Sequence, residues 1–472
     1  MRRMRFCVLL FSVCALASGQ QLRVKSATAK SVQLEWSGAT GTVTIERNMQ
    51  KIGTSDQPAY EDTAIDRYAT YRYRVTAGGK SSNEVVVGPP PGGVLNVSAA
   101  PKDRDAGHYG QATAITLDDN GDPAIAFEWL DPNNDGDYSD NEIRFVGWDR
   151  AGYKWLASTR VQVVGDIGNQ NLNPISIACD AATGLLLIVT PMPDKGASVL
   201  TSKDRGTTWT AAPLPGVAGT VYSTAIAIGG GKVHLVVSSS ESGAQYLTGP
   251  VADMSGWKST PLPVSSGWKL PAGVNVVLTL DGTGKPALAW YEIPEEGDGR
   301  HFRFWRPDGK PVTAIDTKRT TDTPNLALTA GGGKFGLLIQ TALDEKDEDH
   351  GIWYTQSTDG AAWSKPSKLP VDGPRSTNPP LDVALDSHGR IVALFGSNSG
   401  SAGTGCNYPA LSRSTDGTQW KTCGPGKAEG GDFGAQPATL HAIEAGNDKV
   451  YVLWQEPGEN KYKQGVLLWH ER

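Results

Sequence analysis

The chain has 472 residues, with 44 Lys plus Arg against 50 Asp plus Glu and a formal net charge of -6. Hydrophobic residues make up 39% and charged residues 20%, which excludes a wholly disordered chain and a polybasic nucleic-acid binder. Its 56 Gly and 30 Pro follow no collagen period and read as turn residues of a strand-rich protein.

Arg2, Arg3 and Arg5 precede an apolar run from Phe6 to Leu16, closed by Ala17, Ser18 and Gly19. Basic, apolar and small residues in that order make residues 1–19 an expected signal peptide. The run is too short for an ordinary membrane helix, and no transmembrane segment follows it. Bacterial-type export is expected, to a secreted, periplasmic or cell-surface location. Three cysteines then remain. Cys179 lies in an apolar strand pattern and reads as core. Cys406 and Cys423 flank one predicted hairpin, and an exported compartment permits a disulfide between them.

Residues 20–88 alternate apolar and polar positions in short strands: Val32, Leu34, Trp36; Val43, Ile45; Tyr71, Tyr73, Val75; Val85, Val87. The pattern predicts a small β-sandwich. Trp36, the run Tyr60-Glu61-Asp62-Thr63 and the run from Tyr71 to Val75 resemble the landmarks of a fibronectin type III domain. The resemblance makes Trp36 the core tryptophan of the second strand. The segment before it is short, so an abbreviated first strand is expected. Pro89-Pro90-Pro91-Gly92 reads as a stiff linker, residues 89–92.

From residue 93 one unit recurs at intervals of about 50–60 residues, in the range of repeat architectures. Its first strands end at Leu117-Asp118, Cys179-Asp180, Ile228-Gly229, Leu280-Asp281, Leu328-Thr329, Leu385-Asp386 and Ile443-Glu444. Apolar second strands follow, at Pro123–Trp129, Leu185–Thr190, Val233–Ser238, Pro286–Trp290, Phe335–Gln340, Ile391–Phe395 and Val450–Trp454. Four short strands per unit predict a β-propeller over residues 93–472, in which stacked sheets cover one another's faces. The expected architecture is all-β, a small sandwich followed by a seven-bladed propeller; six or eight blades stay open if one divergent unit is miscounted. The last unit supplies three strands, and residues 93–99 are expected to be its fourth, which closes the ring.

Between third and fourth strands stands a recurring turn. Ser202-Lys203-Asp204-Arg205-Gly206-Thr207-Thr208-Trp209 is the full form, S-x-D-x-G-x-x-W. Versions one residue shorter place Ser357, Asp359, Gly360 and Trp363, and Ser414, Asp416, Gly417 and Trp420. Weaker echoes are Gly152–Trp155, Gly256-Trp257 and Pro307-Asp308-Gly309. The chain from residue 93 on resembles the Asp-box propellers, which include sialidases. A structural role is expected: Asp accepts backbone N–H bonds in its own turn, Gly takes a left-handed conformation and Trp packs between sheets. The resemblance puts these turns on the face opposite the ligand face, so Asp204, Asp359 and Asp416 are not expected to be catalytic acids.

The same resemblance would imply an arginine triad for a substrate carboxylate, an Asp acid/base and a Tyr–Glu pair. The expected F/Y-R-I-P motif is absent, and residues 107–118 hold no Arg. Arg319 and Arg375, each just before a first strand, are two where three are needed. Another glycosidase would need two carboxylates roughly 5–9.5 Å apart. Glu128, Glu292 and Glu456, near the ends of second strands, and Asp322 and Asp432, before first strands, are the candidates. Solvated rim carboxylates are the blander reading of all five.

Asp131-Pro132-Asn133-Asn134-Asp135-Gly136-Asp137-Tyr138-Ser139-Asp140-Asn141-Glu142 matches the EF-hand loop pattern. Calcium takes six to eight hard oxygens. Asp131, Asn133, Asp135, the Asp137 carbonyl, a water on Ser139 and a bidentate Glu142 would supply them. The flanks read as strands, so the ion is expected to be structural rather than a sensor's trigger. Acidic loops at 292–298 and 344–350 follow second strands.

Tyr109, Tyr222, Trp268 and Phe433 precede first strands and are candidate ligand platforms, with Arg319 and Arg375 also before first strands. No HxH or HExxH arrangement supports zinc, and no organic cofactor is implied. The reading favoured is an exported, monomeric, non-catalytic protein that binds glycan, peptide or extracellular matrix through the propeller's top face, and no nucleic acid. A glycan-active hydrolase or lyase using rim carboxylates is the alternative, and a structural scaffold the third.

Overall fold

The computed structural model describes residues 19–97, 108–130, 138–164, 174–192, 196–318, 324–343, 350–370, 381–386, 388–395, 410–423, 440–446, 449–456 and 465–470. The chain divides into two compact units, Met1–Pro89 with Asp149–Lys154, and Pro90–Trp148 with Trp155–Arg472. No α-helix occurs among the described residues; Tyr138–Asp140 and Met254–Gly256 are single 3-10 turns.

The first unit is a sandwich. One sheet joins Gln21–Ala27, Val32–Ser37 and Ala59–Asp62; the other joins Gln50–Ser55, Val43–Arg47, Tyr71–Ala77 and Lys80–Ser81, with Val85–Val87 also on Tyr71–Ala77. Period-two alternation turns Val32, Leu34 and Trp36 inward from the first sheet. Val43, Ile45, Tyr73 and Val75 meet them from the second. The Tyr73 hydroxyl donates to Asp62 Oδ2 at 2.8 Å, and Arg47 Nη1 donates to the same oxygen at 2.9 Å. A buried phenol and a buried carboxylate thereby satisfy each other. The first strand is not abbreviated. It runs seven residues and pairs along Val32–Ser37 as far as Ala27. Its core side is carried by Leu22, Val24 and Ala27, while Gln21, Arg23 and Lys25 face outward, and so few apolar residues hid its length.

The second unit is a succession of antiparallel sheets in chain order. The first holds His108–Leu117, Pro123–Leu130, Glu142–Asp149 and Thr159–Val163; the second Ser176–Asp180, Leu185–Met192, Gly196–Ser202 and Thr210–Pro213. The third holds Val221–Gly229, Lys232–Ser239, Gly243–Pro250 and Lys258–Pro261. In the fourth, Trp268–Lys269 and Val277–Leu280 share the inner position beside Pro286–Pro294, followed by Arg300–Trp305 and Val312–Thr317. The fifth has Leu326–Gly331, Lys334–Ala342, His350–Ser357 and Ser367–Lys368; the sixth Leu381–Leu385, Ile391–Phe395, Ala410–Ser414 and Lys421–Cys423. The seventh pairs Leu440–Gly446, Lys449–Glu456 and Gly465–His470, then takes Gly93–Asn96 as its outer strand. Leu468 lies opposite Leu95 and Trp469 opposite Val94 in that last pairing.

First strands of successive sheets lie side by side, and Leu440–Gly446 lies beside His108–Leu117. The sheets therefore form a closed ring, the architecture of a β-propeller. Second strands are covered on both faces; Ile391–Phe395 is buried at every position. This explains their unbroken apolar runs. Several extend beyond their predicted ends, Pro286–Pro294 by four residues, because neighbouring loops and strands shelter polar residues there.

Two kinds of Asp turn mark one end of the ring. Between first and second strands, Asp118 Oδ1 accepts from the N–H of Asn120 at 2.8 Å and of Asp122 at 2.9 Å. Asp281 and Asp386 make the same pair of bonds. Between third and fourth strands, Asp204 Oδ1 accepts from Thr208 N at 2.8 Å, and Ser202 Oγ accepts from Gly206 N at 2.8 Å. Asp359 and Asp416 repeat the arrangement. The Trp of each turn packs edge-on against an aromatic of the preceding sheet's third strand. The pairs are Trp209 with Phe145 at 5.2 Å, Trp363 with Phe304 at 5.1 Å and Trp420 with Tyr354 at 5.4 Å. Arg205 reaches from the second sheet to Asp119 of the first at 2.9 Å. Alternating strand direction places second-strand ends and first-strand starts at the opposite end of the ring.

Candidate functional site

That opposite end is best defined in the fourth sheet. Glu292 lies opposite His301, which lies opposite Asp316, so an acid–imidazole–acid row crosses three strands. Two pairs along, Trp290 lies opposite Arg303. Residues two apart on a strand share a face, so Trp290, Glu292, His301 and Arg303 line one side of the sheet.

Glu292 is 0% exposed. Its Oε1 accepts from Ser265 N at 3.2 Å and Trp290 Nε1 at 3.4 Å, and stands 3.8 Å from Arg303 Nε. Oε2 is buried without a hydrogen-bond partner, as are His301 Nδ1 and Arg303 Nε. Arg303 is otherwise anchored through Thr313 Oγ1 and the Pro311 carbonyl. His301 Nε2 lies 3.4 Å from Asp316 Oδ1. Burial, aided by Arg303, holds the imidazole below its ordinary value against the pull of Asp316 and Glu292, so it is neutral at pH 7.

Trp268 covers this row. Its ring lies on that of His301, centroids 3.3 Å apart and planes 24° apart. It is half-buried, which leaves part of the indole open to solvent. Gly267 before it takes φ +79°, and Trp268 pairs with Pro294 at the far end of the second strand. An aromatic platform on an imidazole, with a carboxylate and a guanidinium on the same sheet face, can stack an apolar ring face and bond polar groups at its edge.

Trp268 and Glu292, both expected from sequence, thus meet here. His301, Arg303 and Ser265 were not expected; only the strand pairing brings them together. Counting back across the turn at Gly297 from Glu292 would have reached His301.

The other expected positions fall elsewhere. Glu128 is buried in Pro123–Leu130 of the first sheet. Pro123 and Pro286 hold equivalent positions, opposite Leu117 and Leu280, and from them Glu128 and Glu292 differ by one residue. They therefore face opposite sides of their sheets, and neither is a solvated rim carboxylate. Tyr222 is half-buried at a bulge in Val221–Gly229. Tyr109, Glu456 and Cys423 are placed on the strands His108–Leu117, Lys449–Glu456 and Lys421–Cys423. Asp322, Asp432, Arg319, Arg375, Phe433, Cys406, Asp131, Asn133, Asp135 and Asp137 lie outside the described residues. Cys179 is half-buried against the core, and burial pushes its thiol up to about 12, which keeps it protonated.

Of the calcium loop, Ser139 is exposed in its 3-10 turn and Glu142 is buried. Arg144 Nε and Nη2 both lie 2.9 Å from Glu142 Oε2, and Arg160 Nη1 lies 3.6 Å from Oε1. One carboxylate oxygen is thus committed to Arg144, which departs from the bidentate closure expected from the loop pattern.

No family model matches the chain, and no curated protein matches it. Among solved structures it is similar to a Hadza microbial sialidase, with 11% identity over 96% of this chain and 95% of that one and a TM-score of 0.44. It is also similar to the α-L-arabinanase of Penicillium chrysogenum, with 12% identity over 81% and 98% and a TM-score of 0.44. The fucose-specific lectin of Aleuria aurantia gives 12% identity over 72% and 100% and a TM-score of 0.41. Nothing at these levels transfers a residue role to this chain.

Proposed function

We propose that this chain is an exported, non-catalytic binding protein that recognises carbohydrate at the ring end opposite the Asp turns. In this reading a fibronectin type III-like module precedes a seven-bladed Asp-box propeller, and the protein acts as a monomer. The observation that carries it is the half-buried Trp268 held flat on His301. Sugars present an apolar C–H face and polar edges, and an indole beside buried polar groups suits both. The test is a glycan and peptide array probed with the full chain and with Trp268→Ala. The reading expects sugar binding that Trp268→Ala weakens at least about tenfold. Binding to peptides alone, or equal binding by the variant, would reject it.

A structural calcium in the loop 131–142 belongs to the same proposal. Asp131, Asn133, Asp135 and the Asp137 carbonyl would hold it, with a water on Ser139. With Oε2 of Glu142 held by Arg144, its Oε1, 3.6 Å from Arg160 Nη1, would be the oxygen offered to the ion. That donor set is hard and anionic, as calcium requires, and a modest affinity suffices outside the cell. A Cys406–Cys423 disulfide fits the same compartment.

A further inference from the structure

We infer that Glu292, His301 and Arg303 form a subsite beneath Trp268 that reads adjacent hydroxyl groups of a neutral sugar ring. The inference deepens the carbohydrate reading above and rests on it. Three polar atoms on one face of the fourth sheet lack hydrogen-bond partners: Glu292 Oε2, His301 Nδ1 and Arg303 Nε. The first belongs to a fully buried carboxylate, the costliest kind of group to leave unsatisfied. Arg303 Nε, at 3.8 Å from Glu292 Oε1, is too distant for a direct bond.

The three atoms are chemically complementary to hydroxyls. The carboxylate oxygen only accepts and the guanidinium Nε only donates, while one ring nitrogen of a neutral imidazole can do either. A hydroxyl donates once and accepts as well, so one hydroxyl can serve Glu292 and Arg303 together. A neighbouring hydroxyl can serve His301 Nδ1. A cationic ligand would meet Arg303 and an anionic one Glu292, which leaves a neutral polyol as the matching class. Trp268, stacked on His301, would then lie against the ring face of the same sugar once it shifts from the imidazole. Its two-residue strand is short and flanked by Gly267, which suits such a shift.

The test uses the full chain and a panel of neutral methyl glycosides with their single-deoxy analogues, by titration calorimetry. Wild-type protein is expected to lose about tenfold or more in affinity when one of two adjacent hydroxyls is removed. Glu292→Gln is expected to lose a similar factor for the parent sugar. It should lose little further for the deoxy analogue, because the same bond is gone in both. Losses that simply add, or a Glu292→Gln protein that binds like wild type while Trp268→Ala does not, would overturn the subsite and leave the platform standing. Absence of any sugar binding by wild type would overturn both. If Glu292→Gln lowers Tm by more than about 5 °C, His301→Gln carries the same cycle.

Discussion

Replacing Gly206 by Ala probes the seam between the first and second sheets. A Cβ there would run into the edge of the Phe145 ring, with Cζ 2.7 Å away and Cε1 and Cδ1 nearer still. The backbone at φ +85° adds its own penalty, roughly 1–2 kcal/mol for an L side chain. Forcing Phe145 from its packed position adds about 1–3 kcal/mol. Gly206→Ala is therefore expected to cost about 2–5 kcal/mol. Gly216 supplies the control: its φ is +75°, and an added Cβ meets nothing within 4 Å. Gly216→Ala should show the backbone cost alone, about 1–2 kcal/mol. The later turns extend the series, since a Cβ at Gly417 comes 2.8 Å from Tyr354 Cε1 and one at Gly360 comes closer to Phe304. Urea unfolding followed by tryptophan fluorescence and circular dichroism measures each loss, provided the two probes coincide. Equal losses for Gly206→Ala and Gly216→Ala would refute the argument that the turn glycine exists to admit a neighbouring sheet's aromatic.

Acid should act through the same turns. Bonds from Thr208 hold Asp204 at about 2, and backbone N–H groups of Gln419 and Thr418 hold Asp416 at about 2. Their folded values lie below the unfolded value of about 3.9, so the stability they contribute is whole above pH ~4 and lost towards pH ~2. An Asp204→Ala, Asp416→Ala double variant should show a shallower fall in urea midpoint across that window; an unchanged fall would discount both carboxylates. Tyr73→Phe removes a buried donor to Asp62 while Arg47 remains, and should cost about 1–3 kcal/mol in thermal unfolding of the sandwich. Chelation should lower Tm and added calcium restore it in wild type, with neither effect in Asp135→Ala; a Tm indifferent to chelator would remove calcium from the account.

Architecture was legible where one residue type recurs at one place in several units. The first-strand Asp and the Ser-Asp-Gly-Trp turns make local bonds within five residues, so spacing alone reveals them. Their packing partners were not legible, because Phe145, Phe304 and Tyr354 come from the preceding sheet and lie far off in sequence. The candidate site failed in the same way. Glu292 read as a carboxylate near the end of a second strand, yet Ser265 and Arg303 enclose it from other segments. Burial of a carboxylate depends on who covers it, and a single strand does not carry that information. Trp268 could be singled out as an aromatic at a first-strand start, but its stacking on His301 required the register of three strands.

The pairing of Gly93–Asn96 with Gly465–His470 has a consequence for how the protein is made. A ribosome releases the outer strand of the seventh sheet before the six other sheets of the ring and its three partners after them. Throughout synthesis that strand has nothing native to pair with, while each finished sheet presents a bare edge to whatever is nearby. The ring can be sealed only after the final strand has emerged, a late step between residues of very large sequence separation, and such contacts form slowly. A chain of this kind gains from staying unfolded until all seven sheets can form. The same design concentrates the risk at one pairing: loss of those four residues would leave Gly465–His470 as an unpaired edge, open to pairing with a copy of the protein.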